Sequence, residues 1–286
     1  MTIIDGRYHA EELLNNLKKK VNKLKSIIPK FAIILLGNNY ASEIYVNNKI
    51  KTASKIGIIA ELIRLPDTTS EKELLKIIDA FNNNKSVHGM IIQMPIPSHI
   101  NQNLIISKID PKKDVDGFHP VNAGKLYLGQ KALYPCTAIG CLYLINKTLG
   151  DITGKKAVVV GRSFIVGKPV AALLLQANAT VTICHYYTKD LKSITITADI
   201  VVIAIGKAKY FDRSYFKKTA TILDVGINYL RNNMKRKVIG DVDFDDVYPY
   251  VENITPVPGG VGPMTVAYLL HNVILAAENL IDKSSN

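Results

Sequence analysis

The chain has 286 residues, 48% of them hydrophobic and 21% charged, and a formal net charge of +12. That length suits one large or two ordinary domains, and the composition is that of a globular protein with ample core. No basic start precedes an apolar run, and no apolar run reaches the length of a membrane span, so we expect neither a signal peptide nor a bilayer helix, and a cytoplasmic setting.

The positive charge raises nucleic acid as a partner. The lysines, however, are spread through helical stretches such as 18–25 and not set among aromatics, which fits a solvated basic face better. Such a face also gathers acidic small molecules. Cys136, Cys141 and Cys184 form no C-x-x-C and no metal-ligand cluster, so we expect reduced thiols and no metal.

Residues 8–25 carry Leu13, Leu14, Leu17, Val21 and Leu24 at helical spacing. Residues 31–37 read as a buried strand. Ser42 can cap a helix over 41–57 that Gly57 closes. A second strand is expected over 58–65, a helix over 71–81, and a third strand over 87–97 running into a Pro-rich turn. The order β-α-β-α-β predicts a parallel sheet with helices packed on it.

From 110 to 140 the chain reads as irregular, as at a domain crossing, with a connecting helix over 142–149. A strand over 157–160 ends at Gly161 and leads through Gly167 into an apolar helix. Strand, Gly-bounded turn and helix make the phosphate-binding unit of a dinucleotide fold, although Ser163 stands where the usual motif has its second glycine. Read alone, the stretch equally fits an ordinary βα turn. Strands over 180–184, 199–206, 221–226 and near 238–242 would continue a parallel Rossmann-like sheet. The last helix, 265–280, is expected to pack back on the first domain.

Ligands of open α/β sheets sit at the carboxyl ends of the strands. This singles out Gly37, the segment 93–97, Gly161 to Gly167, His185, Gly206, and the segment 226–228. Two such sheets facing one another would enclose a cleft. Tyr45 and Lys49 lie four apart on a helix, beside an apolar stripe of Val46, Ile50 and Ala53. They either look into a ligand site or are a half-buried tyrosine and a snorkelling lysine. Gln93, at a strand end, can hold a lysine or a substrate. Asp114, Asp116 and Gly117 are either turn chemistry or a carboxylate fork for a flat heterocycle.

In chain order, the motifs Tyr45-Val46-x-x-Lys49, Gln93-Met94-Pro95-Ile96-Pro97, Lys113-Asp114-Val115-Asp116-Gly117, Pro135-Cys136-Thr137, Gly161-Arg162-Ser163, Asp224-Val225-Gly226, Gly240-Asp241-Val242 and Pro258-Gly259-Gly260-Val261-Gly262-Pro263 closely resemble the bifunctional methylenetetrahydrofolate dehydrogenase/methenyltetrahydrofolate cyclohydrolase family. The likeness runs from about residue 3 to about residue 280. It implies two α/β lobes. Residues 1–138, completed by a C-terminal helix over 265–286, would bind folate. Residues 139–264 would be a Rossmann-like NADP-binding domain.

The resemblance further implies tetrahydrofolate derivatives as substrates, NADP rather than NAD as cofactor, a homodimer, and neither nucleic acid nor membrane as partner. Carried over, Lys49 is catalytic, Tyr45 stacks on the folate, Gln93 hydrogen-bonds the lysine and Asp116 holds the pterin. Gly161, Arg162, Ser163, Gly167, His185, Gly206, Gly226 and Ile227 serve the dinucleotide. Pro258, Gly259, Gly260 and Pro263 line the folate and nicotinamide end.

Two departures stand out. Ala138 replaces a usual proline, and Tyr186 and Tyr187 follow Cys184-His185 where the family has a small hydroxyl or basic residue. No acid ends that strand, as an NAD enzyme would require. The expected activity is oxidation of 5,10-methylene-tetrahydrofolate followed by hydrolysis to 10-formyl-tetrahydrofolate. A dehydrogenase without the second step and a non-catalytic nucleotide-binding protein are the alternatives.

Overall fold

The computed structural model describes residues 1–24, 27–232 and 235–281. In chain order, β1 (Thr2–Ile3) and α1 (Gly6–Lys23) precede the β2 (Lys30–Leu36), α2 (Tyr40–Lys55), β3 (Ile59–Leu65), α3 (Glu71–Asn83), β4 (Gly89–Ile92) series. Three short helices follow: α4 (Gln102–Ser107), α5 (Pro120–Tyr127) and α6 (Cys136–Leu149). Then come β5 (Lys156–Val160), α7 (Gly167–Gln176), β6 (Thr180–Cys184), α8 (Leu191–Thr195), β7 (Ile200–Ile203) and β8 (Thr221–Asp224). The chain ends with β9 (Asn228–Asn232), β10 (Lys235–Ile239), α9 (Phe244–Val247), β11 (Asn253–Ile254) and α10 (Val261–Ile281).

Two compact units result. One comprises Glu12–Tyr134 and the chain from Val266 onward. Its sheet is parallel, in the order β3-β2-β4. Phe31, Ala32, Ile33 and Ile34 on the central strand are fully buried, as a strand covered on both faces requires. The other unit comprises Met1–Glu11 and Pro135–Thr265, with an all-parallel sheet in the order β1-β11-β8-β7-β5-β6. The short four- and five-residue runs of Val and Ile in β5 and β7 form its middle and are buried throughout except for Lys156.

Several details differ from the expectations. The cap of α2 is Asn39, whose side chain accepts from Ser42 N at 3.2 Å; Ser42 is buried inside the helix. The stretch expected to be irregular holds α5, capped by His119 and started by Pro120, where a missing N–H costs nothing. The same stretch holds the first turn of α6. The strand near 238 does not continue the parallel sheet. It pairs antiparallel with its chain neighbour β9, and the places beyond β8 in the sheet go to β11 and then β1, each too short for periodicity to reveal. For that reason residues 1–11 belong with the six-stranded unit and not with residues 12–134.

The helix α10 also corrects the expectation that no apolar run could span a bilayer. Over Val261–Asn279 its length and composition would suffice, but 67% of that window is buried inside the protein, as in a core helix. Within the three-stranded unit, Asn272 on α10 donates to Val115 O and Tyr134 O, both at 2.9 Å. Residue 25 of the expected first helix and residues 282–286 of the expected last one lie outside the described residues.

Candidate active site

In the three-stranded unit, α2 presents Tyr45 and Lys49 one turn apart, both half-buried. The strand β4 ends just before Gln93, whose N–H still bonds Ile34 O at 2.9 Å and so prolongs the sheet by one residue. The Gln93 amide bridges two partners. Its Nε2 donates to Met94 O at 2.9 Å, which turns Oε1 toward Lys49, and Lys49 Nζ donates to that oxygen at 3.0 Å. A neutral amide therefore orients the lysine.

The segment 113–119 brings Asp116 to the same group. Its scaffold consists of its neighbours. Lys113 is buried, and its Nζ donates to the carbonyls of Phe81, Asn82 and Asn84, each at 2.8 Å, filling the carbonyl end of α3. Lys113 O accepts from Met90 N at 2.8 Å, so the segment lies against β4. Asp114 is buried and accepts from Phe118 N, His119 N and Asn122 Nδ2, at 3.2, 2.7 and 2.9 Å. Gly117, at φ +77°, makes the turn.

Asp116 differs from Asp114. No hydrogen-bond donor among the described residues reaches its carboxyl, and part of the residue remains accessible. Crowding by protein atoms pushes its pKa up to about 6, against the pull of the nearby Lys49 charge and with the push of Asp114. Such a carboxylate is ionised at neutral pH and has its acceptor oxygens unspent.

In the six-stranded unit, the turn after β5 is shaped by close backbone approach. A Cβ on Gly161, at φ +130°, would lie 2.4 Å from Ala204 O, and one on Gly167 would lie 2.1 Å from Gly161 O. Ser163 fills the place of the missing glycine. Its Oγ accepts from Val166 N at 3.2 Å and Gly167 N at 3.4 Å as the chain enters α7. Backbone N–H groups at the start of an apolar helix suit a pyrophosphate.

Two carboxylates hold the rest of this unit's ligand edge. Asp241 is fully buried and accepts from Ile205 N, Gly206 N, Lys207 N and Asn228 Nδ2, at 2.8 to 3.0 Å. Asp224 accepts from Gly226 N, Asp241 N and Val242 N, and burial raises it to about 7. Sequence reasoning saw both residues in motifs and gave neither a role; the signal was an acid within two residues of a glycine at a strand end. His185 accepts from Tyr187 N through Nδ1 at 3.2 Å. Ile227 is exposed, and Tyr186 and Tyr187 are open to solvent.

Gly259 O accepts from Arg7 N at 3.1 Å, and Gly260 N donates to Pro256 O at 2.8 Å. Pro258, Gly259, Gly260 and Pro263 thus sit in the six-stranded unit where the chain enters α10. The structure gathers Lys49, Gln93 and Asp116 in one unit and the residues expected to serve the dinucleotide in the other. All three cysteines are buried free thiols, and burial pushes Cys141 up to about 12.

The sequence model of the tetrahydrofolate dehydrogenase/cyclohydrolase catalytic domain matches residues 4–116, and that of the family's NAD(P)-binding domain matches residues 135–281. The bifunctional protein FolD of Rickettsia bellii is 50% identical over 278 residues, covering 96% of this chain and 97% of its own. The FolD dehydrogenase/cyclohydrolase of Campylobacter jejuni superposes with a TM-score of 0.94 at 43% identity, covering 98% of this chain and 99% of its own. The FolD of Trypanosoma brucei, solved with NADP and an inhibitor, gives a TM-score of 0.94 at 34% identity and 98% coverage of both chains. This chain belongs to the tetrahydrofolate dehydrogenase/cyclohydrolase family.

Proposed function

We propose that the protein oxidises 5,10-methylene-tetrahydrofolate to the methenyl form with NADP and then hydrolyses it to 10-formyl-tetrahydrofolate, using Lys49, Gln93, Tyr45 and Asp116 for the folate. The observation that carries this reading is the Lys49–Gln93 hydrogen bond beside a carboxylate that no donor among the described residues reaches. The pterin ring offers an amino group and a ring N–H side by side, and the ionised Asp116 can accept both. Tyr45, one turn from Lys49, offers a ring for the folate's aromatic portion.

The Gly161–Gly167 turn leaves room for backbone to meet a pyrophosphate, and Ser163 keeps the turn closed without a carboxylate. NADP, when bound there, accepts the hydride. Gly161, Arg162, Ser163, Gly167, His185, Gly206, Gly226 and Ile227 are the residues we assign to it.

Lys49 serves the hydrolytic step. The methenyl substrate is a cation, and an ammonium beside it would repel it. Gln93, itself uncharged, orients Nζ through the 3.0 Å hydrogen bond, and it is the substrate's own positive charge that favours the unprotonated amine once the substrate is bound. The amine takes a proton from the attacking water and returns it to the leaving nitrogen. This argues against a dehydrogenase that lacks the second step, which would need neither Lys49 nor its amide partner. The assignment extends to Pro258, Gly259, Gly260 and Pro263 as folate contacts and to a cytoplasmic homodimer, for which the exposed Ile183 on the edge strand β6 offers apolar surface.

The test is a product balance. Purified protein given methylene-tetrahydrofolate should reduce NADP with a higher kcat/KM than NAD and release 10-formyl-tetrahydrofolate. Accumulation of the methenyl compound in proportion to NADPH would leave only the dehydrogenase.

A further inference from the structure

Arg162 and Lys207, in the six-stranded unit, have no carboxylate partner among the described residues and rest on tyrosine faces that adjoin one another. The Arg162 guanidinium lies 5.8 Å from the ring centre of Tyr187. Lys207 Nζ, in the loop after β7, lies 5.9 Å from the Tyr186 ring and 5.3 Å from that of Tyr210. Tyr186 and Tyr187 meet edge to face, with ring centres 5.2 Å apart, so both cations belong to one patch. A cation on an aromatic face keeps its charge for a third group, whereas one in an ion pair has spent it.

The patch is built and not incidental. The root of Lys207 is fixed, since its own N–H and those of Ile205 and Gly206 all end on Asp241. The acids further along, Asp243 and Asp245, are turned to Lys209 at 2.9 and 3.8 Å. Tyr186 and Tyr187 follow β6, the strand next to β5. In a dinucleotide fold the residues after that strand face the 2′ position of the adenine ribose. Tyr186 is 85% exposed and Tyr187 73%, so their rings stand open to a ligand.

We propose that Lys207 is a specificity-determining residue for the coenzyme. Lys207 and Arg162 clamp the phosphate on the ribose 2′ oxygen, and Tyr186, Tyr187 and Tyr210 are positioning residues that hold the two cations there. The inference rests on the NADP reading above and deepens it. It also accounts for tyrosines where a small hydroxyl is expected: a second unspent charge replaces the hydroxyl's hydrogen bond.

The test uses the folate-free protein and calorimetry with 2′,5′-ADP and 5′-AMP, which differ in the 2′-phosphate. Lys207→Gln should weaken 2′,5′-ADP about five-fold or more and leave 5′-AMP within about two-fold. It should also flatten the ionic-strength dependence of 2′,5′-ADP binding, because one screened charge is gone. Tyr186→Phe should bind as the wild type does, since the ring face and not the hydroxyl holds the lysine. Equal loss of both nucleotides in Lys207→Gln, or no loss of either, would overturn the assignment while leaving the NADP reading intact. A wild-type protein that did not prefer 2′,5′-ADP to 5′-AMP would overturn both.

Discussion

Asp241 in the six-stranded unit and Asp116 in the three-stranded unit are opposites. Asp241 has no exposed surface and gives both oxygens to four protein donors. Asp116 keeps an accessible face and receives no protein donor among the described residues. The first carboxylate shapes backbone, and the second is held ready for something else. Within the segment 113–119 the same contrast recurs at closer range, between Asp114 and Asp116. A functional acid is recognised by the hydrogen bonds it lacks, and a structural one by those it has.

That contrast can be broken first at Asp241. Replacing it by alanine leaves three backbone N–H groups and the Asn228 amide without their acceptor, at about 1–3 kcal/mol for each group left unsatisfied. Asp241→Ala should therefore lower the thermal midpoint sharply. An unchanged melting curve would remove Asp241 from the scaffold.

Asp116→Asn should leave the fold intact and act on the ligand. The amide cannot accept both pterin N–H groups, and a charge-assisted pair contributes about 1.5–3 kcal/mol. Folate affinity should fall ten-fold or more, and both activities should fall together, because they share the site. A variant with the wild-type folate Kd would contradict the assignment.

The pH dependence sharpens the same point. The free carboxyl of Asp116 is raised to about 6, so the accepting form is complete above that pH and is lost as pH falls through it. Folate binding should be flat from neutral pH upward and weaken by up to about ten-fold per pH unit below 6. Asp116→Asn should abolish this dependence. A wild-type Kd constant from pH 7 to 5 would place the titration elsewhere.

The smallest effect is expected at Arg162, whose guanidinium is solvent-facing and one of two cations in its patch. Arg162→Ala should erode NADP preference by a few-fold, about 1 kcal/mol or less. The ratio of kcat/KM for NADP and NAD measures it, and an unaltered ratio would exclude Arg162 from coenzyme choice.

Much of this was legible in the sequence. The three strands of the smaller sheet, the β5–α7 turn and the Tyr45–Lys49 spacing follow from periodicity, glycine placement and helical geometry. What the residues alone left open was which polar groups are spent. Asp114 reads as either turn chemistry or part of a carboxylate fork, and only its partners at the start of α5 show it to be scaffold. Asp224 and Asp241 act through backbone N–H groups up to 36 residues away, a distance no local pattern encodes. The β9–β10 pair was missed because alternation marks a strand without naming its partner.

The central claim is that Lys49, oriented by Gln93, carries the proton of the hydrolytic step while hydride transfer needs chiefly alignment. Lys49→Met tests it in a single preparation. Methenyl-tetrahydrofolate decay, corrected for buffer hydrolysis, is measured beside NADPH formation and calorimetric NADP binding. We predict that enzymatic methenyl hydrolysis disappears, that NADP binds as in the wild type, and that part of the dehydrogenase activity survives. Wild-type methenyl hydrolysis by a folded Lys49→Met protein would contradict the account and leave Lys49 a surface lysine lying along the core.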